Sequence, residues 1–344
     1  MERLKNEIRI THSDLITAIR KALEYTGVPA HIANVEAEVM AESDLMGVAS
    51  HGIRMLPGLI TGIREGRSSA NPNIKIVRDF NAICVLDGDN GPGRFLCVEA
   101  MTYAIERAKK FGIGTCLAKN VTHWGRGFAY AFRAAQAGTI GICMTNAITN
   151  MVAWGSSQPL LGNNPIAVGV PRKGKNPIVL DMAMSQAAIG KMVTYLREGK
   201  STPLGWGLDE EGRPTTDPRA MLTSKRILPF GEHKGAGLAI MMELLTGALS
   251  GSMLSYEIGE ADPSGLDPNS SKLFIAIDVQ AIGDIESLSA SIEKMYQWMH
   301  KTEPTIDIFY PGDQSWKNRE TNLREGIPIR PDILEDLKKV NVIL

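Results

Sequence analysis

The chain is short of cysteine, of charge of one sign and of long apolar runs, and each shortage removes a class of protein. It has four cysteines in 344 residues. Cys84, Cys97, Cys116 and Cys143 form no Cys-x-x-Cys pair and sit among apolar neighbours. That predicts buried free thiols in a reducing compartment, not a disulfide framework. Lys and Arg number 37 against 38 Asp and Glu, a net charge of -1. Such a balance gives no field to attract nucleic acid or an anionic membrane, so neither is expected as a partner. The most apolar late stretch, 238–254, is broken by Glu243, Thr246, Gly247 and Ser250, so it reads as a core helix and not a membrane span. The first residues hold no apolar stretch of the kind a secretory signal needs, and a cytoplasmic location is expected.

The common nucleotide and metal signatures are missing too. No Gly-x-x-x-x-Gly-Lys-Ser/Thr loop occurs, which argues against nucleotide triphosphate hydrolysis. The nearest approach to a dinucleotide fingerprint is Gly91-Pro92-Gly93-Arg94-Phe95-Leu96. It lacks the third glycine for close helix–strand packing, and Pro92 removes a donor. No two histidines stand three or four apart and no His–Cys group has metal-ligand spacing, so no metal is predicted. A Gly-x-Ser-x-Gly elbow is likewise absent.

What is there is an ordinary globular composition, 44% hydrophobic and 22% charged. The length fits two or so domains, or one elaborate α/β domain. Residues 1–70 read as an N-terminal helical region. Thr11 and Asp14 have capping-box spacing ahead of Leu15, Ile16, Ile19 and Leu23. Pro29 can begin a second helix, and Pro57 marks an early turn or kink in a third. Over 71–260, short apolar runs alternate with helical segments: strands at 74–77, 82–86, 112–118, 139–145, 166–170 and 178–180, helices at 100–110 and 128–137. This predicts an α/β fold with a mostly parallel or mixed sheet. The stretch 199–229, rich in Gly, Pro and Thr, reads as a long surface excursion, and 235–250 returns to helix. Residues 261–344 read as a C-terminal strand–helix region, with a strand at 273–277, a helix at 285–300, a Tyr310-Pro311-Gly312 turn and a short terminal helix.

Chemistry-bearing residues cluster at element boundaries. In Ser50-His51-Gly52-Ile53-Arg54, an imidazole that titrates near neutrality can give a proton to a carbonyl oxygen as hydride reaches the carbon. A helix cap with a surface histidine is the plainer reading. Arg54 can bind a carboxylate. Thr122-His123-Trp124-Gly125-Arg126 lies between a strand and a helix, where ligands gather in α/β sheets; an aromatic packing corner is the alternative. Thr145-Asn146 and the loop Leu161-Gly162-Asn163-Asn164-Pro165 read mainly as shaped turns. An apolar strand delivers Asp181 to its end, to meet a ribose, orient a histidine or cap a helix. Phe230-Gly231-Glu232-His233-Lys234-Gly235 opens an apolar helix with free N–H groups and a cation, the best candidate here for a phosphate cradle, with a flexible surface hinge as the alternative. Together these features favour an enzyme with an anionic ligand over a scaffold.

The order of these landmarks resembles the malate/L-lactate dehydrogenase-like reductases, a family unrelated to the Rossmann-fold enzymes of similar name. Ser50-His51-Gly52, His123-Trp124, Gly141-Ile142-Cys143 with Thr145-Asn146, Asn163-Asn164-Pro165, Asp181-Met182, Leu228-Pro229-Phe230-Gly231 with Lys234-Gly235, and Pro311-Gly312 carry the likeness over nearly the whole chain. Stretches 126–130 and 138–146 look closest to the 2,3-diketo-L-gulonate reductase branch. The resemblance implies a three-layer α/β/α fold with a mixed sheet of unusual, non-Rossmann topology, a homodimer, and NADH or NADPH as cofactor. It implies reduction of a small 2-oxo acid. Alternatives are oxidation of a 2-hydroxy acid (malate, lactate, ureidoglycolate, sulfolactate), reduction of a cyclic-imine carboxylate, or a non-catalytic cofactor-binding protein. Carried over by position, His51 matches the proton donor and His123 a pocket histidine, with Ser50, Arg54 and Arg126 on the substrate side. Pro177, Ile178, Val179, Leu180, Asp181, Met182, Ala183, His233, Lys234, Gly312, Asp313 and Gln314 match the dinucleotide contacts. Two positions depart. Relatives usually carry arginine four places after the Ser-His-Gly histidine, where this chain has Met55 with Arg54 one place earlier, about 100° round a helix. They also often read threonine where Asn163 stands.

Overall fold

The computed structural model describes residues 8–262, 266–342 and 344. Thr11 caps helix α1 (His12–Tyr25): its hydroxyl accepts the Asp14 amide at 3.1 Å and donates to the Asp14 carboxylate at 2.6 Å. Pro29 precedes α2 (Ala30–Leu45), and Pro57 sits in the first turn of α3 (Leu56–Arg64), where a missing N–H costs nothing.

Among the described residues seven strands form the central sheet: β1 (Lys75–Phe80), β2 (Ile83–Gly91), β3 (Ile113–Val121), β4 (Thr139–Thr145), β5 (Ile166–Val170), β6 (Ile178–Met182) and β7 (Ser270–Asp278). Their order is β1-β2-β3-β7-β4-β5-β6. Only β2 and β3 run parallel; every other neighbour pair is antiparallel. The sheet is therefore mixed and not mostly parallel. The last strand in sequence lies at its centre, with Phe274 opposite Cys116 on one side and Cys143 on the other.

Helices α4 (Gly93–Phe111) and α5 (Phe128–Gln136) cover one face of the sheet. Cys116, Cys143, Phe274 and Ala276 turn to that side and join the main core, which continues through α2 to the N-terminal helices. Alternate residues Leu117, Met144 and Leu273 turn the other way and meet Met242 of α6 (His233–Glu243). The strand alternation thus serves two buried faces. All four cysteines are buried and free.

The surface excursion is a small folded lobe. It holds the strand pair Gly207–Leu208 and Pro214–Thr215 and a helix at Pro218–Ser224, packed around Trp206, Met221, Ile227 and Met192. The C-terminal part contains α7 (Ile285–Thr302), α8 (Asp313–Glu325) and α9 (Pro331–Lys339). It folds back on the start: Ile327–Ile329 pairs with Ile8–Ile10, and Asn318 and Asn322 donate to the carbonyls of Met46 and Leu45. No described helix is long and apolar enough to cross a membrane.

Candidate functional site

After α2 the chain makes two single turns of 3-10 helix, Ala49–His51 and Ile53–Met55. Asp44 anchors them. Its buried carboxyl accepts the Ile53 amide at 2.6 Å, and burial lifts its pKa to about 7. Arg94 holds the segment from the other side, donating to the His51 carbonyl at 3.3 Å. Ser50 Oγ lies 2.9 Å from His51 Nδ1. Burial pushes His51 down to about 4, with Arg126, Arg94 and Arg54 adding to the effect and Asp181 opposing it. Above that pH its imidazole is neutral.

Seventy-two residues after His51, His123 follows the end of β3. Its amide donates to the Leu266 carbonyl at 2.7 Å, and its Nδ1 accepts the Gly125 amide at 3.0 Å. An accepting Nδ1 leaves the proton of the neutral ring on Nε2. The two imidazoles stack, with centroids 6.0 Å apart and planes 29° apart. Burial, then Arg94 and His51, hold His123 well below the usual histidine range. Behind it stands Lys272, buried on the central strand, its Nζ donating to Ser270 Oγ. Burial lowers this ammonium to about 8 and raises neighbouring Asp267 to about 6.

A cavity of about 450 Å³ opens beside His123, and His51 stands behind that ring, outside the cavity wall. Arg54, Met55, Arg67, Arg94, His123 and Leu266 are among the residues of its wall. Arg94 is 2% exposed and faces the buried Glu36, whose carboxylate also takes the Phe95 amide at 2.8 Å. Burial still raises the Glu36 pKa in spite of that arginine.

Arg126 pairs with Asp181, Nε to Oδ2 at 3.0 Å, and its guanidinium lies 4.5 Å over the Phe128 ring. Its Nη1 is buried and makes no hydrogen bond with the described residues. Asp181 belongs to β6, an edge strand, and the remaining dinucleotide-segment candidates lie along it. At its start, Val179 donates to the Pro311 carbonyl, Trp316 Nε1 donates to the Pro177 carbonyl, and Gly312 (φ 96°) rests on the Val179 backbone. Asp313 there accepts the Tyr310 amide, and Gln314 donates to Asn318. Just past its end, Met184 and Phe230 are hydrogen-bonded, and α6 opens with exposed His233 and Lys234. A Cβ at Gly235 would meet the Phe230 and Met184 carbonyls at 2.5 and 2.7 Å, so only glycine lets that helix start approach.

Other motifs turn out to serve packing. Gly93 starts α4 and presses on the His123 and Thr122 carbonyls, where a Cβ would lie at 2.4 Å. The Gly91–Gly93 turn is thus a backbone crossing. Asn146 ties Ser271 to Met253, and Asn164 joins Ala147 to Ala239 and Glu243. Sequence reasoning passed over Glu36, Asp44, Arg94 and Lys272. A signal existed for two of them: Glu36 lies on the apolar stripe of α2 with Ile32, and Lys272 immediately precedes an apolar strand run. Among the described residues no three His, Cys, Asp or Glu side chains gather as a metal site requires.

The model of the malate/L-lactate dehydrogenase family matches residues 10–338. A malate dehydrogenase of Pyrococcus horikoshii is 35% identical over 346 residues, covering 98% of this chain and 95% of the relative. A 2,3-diketo-L-gulonate reductase of Citrobacter koseri is 31% identical and covers 94% and 97%. Among solved structures, malate dehydrogenase from Entamoeba histolytica superposes with a TM-score of 0.92 at 28% identity, covering 98% of this chain and 99% of that one.

Proposed function

The chain belongs to the malate/L-lactate dehydrogenase family and is an oxidoreductase of the CH–OH/C=O pair; from that, we propose that it reduces the carbonyl of a small 2-oxo acid, of the 2,3-diketo-L-gulonate type, with NADH or NADPH. The observation that carries this reading is His123 in the wall of an arginine-lined cavity with His51 stacked on it. His51 gives the proton to the carbonyl oxygen, and Ser50 sets its ring through Nδ1. The Nε2–H of His123 donates to the same oxygen and draws charge off the carbon. Arg54 and Arg126 add positive potential on the substrate side.

When bound, the reduced nicotinamide supplies the hydride. The residues fit such a group. Lys234 at the start of α6 offers a cation and helix N–H groups to a pyrophosphate. The edge of β6 from Pro177 to Ala183, with His233 at one end and Gly312, Asp313 and Gln314 at the other, gives an extended bed, and the free Nη1 of buried Arg126 is a donor awaiting an acceptor. A homodimer is proposed as the assembly, supported by exposed Leu238, Ile240, Met241, Leu244 and Leu249 on α6 and its continuation.

A second reading, oxidation of a 2-hydroxy acid, is favoured by one observation: with its pKa near 4, His51 is already a neutral base at pH 7. The test follows reduced-nicotinamide absorbance with NADH or NADPH and a panel of 2-oxo acids, cyclic imines and 2-hydroxy acids. Reduction of a 2-oxo acid, lost in His51→Gln while cofactor still binds, is the expected result. Cofactor binding without turnover of any panel member would leave a non-catalytic binding protein.

A further inference from the structure

We propose that Arg94 holds the substrate carboxylate and thereby sets a preference for acids over neutral ketones. The proposal rests on the 2-oxo acid reading above and assigns the residue that recognises the acid.

Met55, standing where the resemblance leads one to expect arginine, lines the same cavity as Arg94 and His123. A thioether carries no charge and accepts hydrogen bonds only weakly, so Met55 itself cannot hold an anion. Arg94 comes to the cavity from the first turn of α4, on a different element. Its present bonds are long. Nη1 is 3.4 Å from Glu36 and Nη2 is 3.3 Å from the His51 carbonyl, whereas charge-assisted pairs usually close to about 2.7–2.9 Å. Its Nε is buried and makes no hydrogen bond with any described residue. Gly125 (φ 76°) passes close to that nitrogen, since a Cβ there would lie 2.9 Å away.

A guanidinium kept only to neutralise Glu36 would be expected to form a close, two-pronged pair. Glu36 instead satisfies one oxygen with the Phe95 amide and meets Arg94 loosely. The other arginines are worse placed. Arg67, also in the wall, is paired with Glu65 at 2.6 Å and Asp262 at 2.9 Å. Arg126 is absent from the cavity wall, its Nε bound to Asp181 and its plane over Phe128. Arg54 lies in the field of Arg197, Asp332, Asp336 and Arg330. Because Arg94 also reaches the His51 carbonyl at 3.3 Å, one side chain joins the group that orients the acid to the residue that protonates the adjacent carbonyl.

The experiment measures kcat/KM for pyruvate and methyl pyruvate, or for the fastest acid of the panel and its methyl ester, together with cofactor affinity. Arg94→Gln should lose about 100-fold more for the acid than for the ester, the excess lying mostly in KM. Arg94→Lys should fall between. Met55→Arg placed on Arg94→Gln should recover at least tenfold toward the acid, which a structural role for Arg94 does not predict. If Arg94→Gln leaves Glu36 uncompensated and fails to fold, Arg94→Lys and the charge-neutral pair Glu36→Gln/Arg94→Gln carry the comparison. Equal losses on acid and ester, or an undiminished acid preference, overturn the proposal. A wild-type enzyme that turns over no 2-oxo acid overturns the parent reading instead.

Discussion

The carboxyl group of Asp44 occupies the space that a Cβ on Gly52 would need. An added methyl would lie 2.1 Å from the carboxyl carbon and both oxygens. The φ of Gly52, −88°, is on the side that any L-residue uses. The glycine after His51 is therefore required by a neighbour eight positions earlier and not by its own φ.

Gly52→Ala should push the His51 segment off the Asp44 anchor and cost about 1–3 kcal/mol, as overpacking does. Urea denaturation measures the loss, and kcat should drop with it. Adding Asp44→Ala should make the Gly52→Ala step cheaper than in wild type, because the clash is gone. Additive losses in the double variant would mean that the two residues do not share this space.

The depressed pKa of His51 sets different pH slopes for the two directions. Its folded value, about 4, lies below the ordinary 6.5, so the free enzyme holds a neutral imidazole through the neutral range. Values of kcat/KM report the free enzyme. Oxidation of a 2-hydroxy acid needs that neutral base and should be flat from pH 6 to 8. Reduction needs the protonated ring and should fall about tenfold for each pH unit over the same range. Asp181 raises His51, so Asp181→Asn should move the protonation midpoint down. Reduction that stays level across this range would remove His51 as the donor charged from solvent.

The start of α6 can be tested separately from the proton chemistry. Lys234→Ala should weaken NADH or NADPH binding about tenfold, seen by fluorescence titration, with little change in KM for the acid. Gly235→Ala, forced against the Phe230 and Met184 carbonyls, should weaken cofactor binding further and lower stability as well. Unchanged cofactor affinity in Lys234→Ala would take the His233–Lys234 pair out of the site.

Much of the secondary structure was legible because each element carries its own signals. Thr11 and Asp14 begin α1, Pro57 lies in the first turn of α3, and the Thr139–Thr145 and Ile166–Val170 strands stand at their expected limits. Errors fell where the local pattern was overruled by packing. The strand at Ser270–Asp278 begins three residues before its apolar run, since Ser270, Ser271 and Lys272 are buried in the middle of the sheet. Helix Asp313–Glu325 has almost no apolar stripe, and only docking of Trp316 and Asn322 against distant segments gives it a buried side. The motif residues His51, His123, Asp181 and Lys234 could be picked out one by one from their boundary positions. Asp44 and Arg94 could not be, because their roles come from burial against the His51 segment, and Glu36 showed only as a charge on the apolar stripe of α2.

By itself the sequence determined most of the segments that become helix or strand, several of the residues that carry chemistry, and that no Rossmann fingerprint is present. Those are consequences of local spacing, propensity and side-chain type. Strand order, the stacking of His51 on His123, the displacement of their pKa values and the setting of Arg94 beside Met55 were decided only by the tertiary structure. Burial and long-range charge act through space, and nothing in the spacing of residues along a chain states which of them will share a cavity.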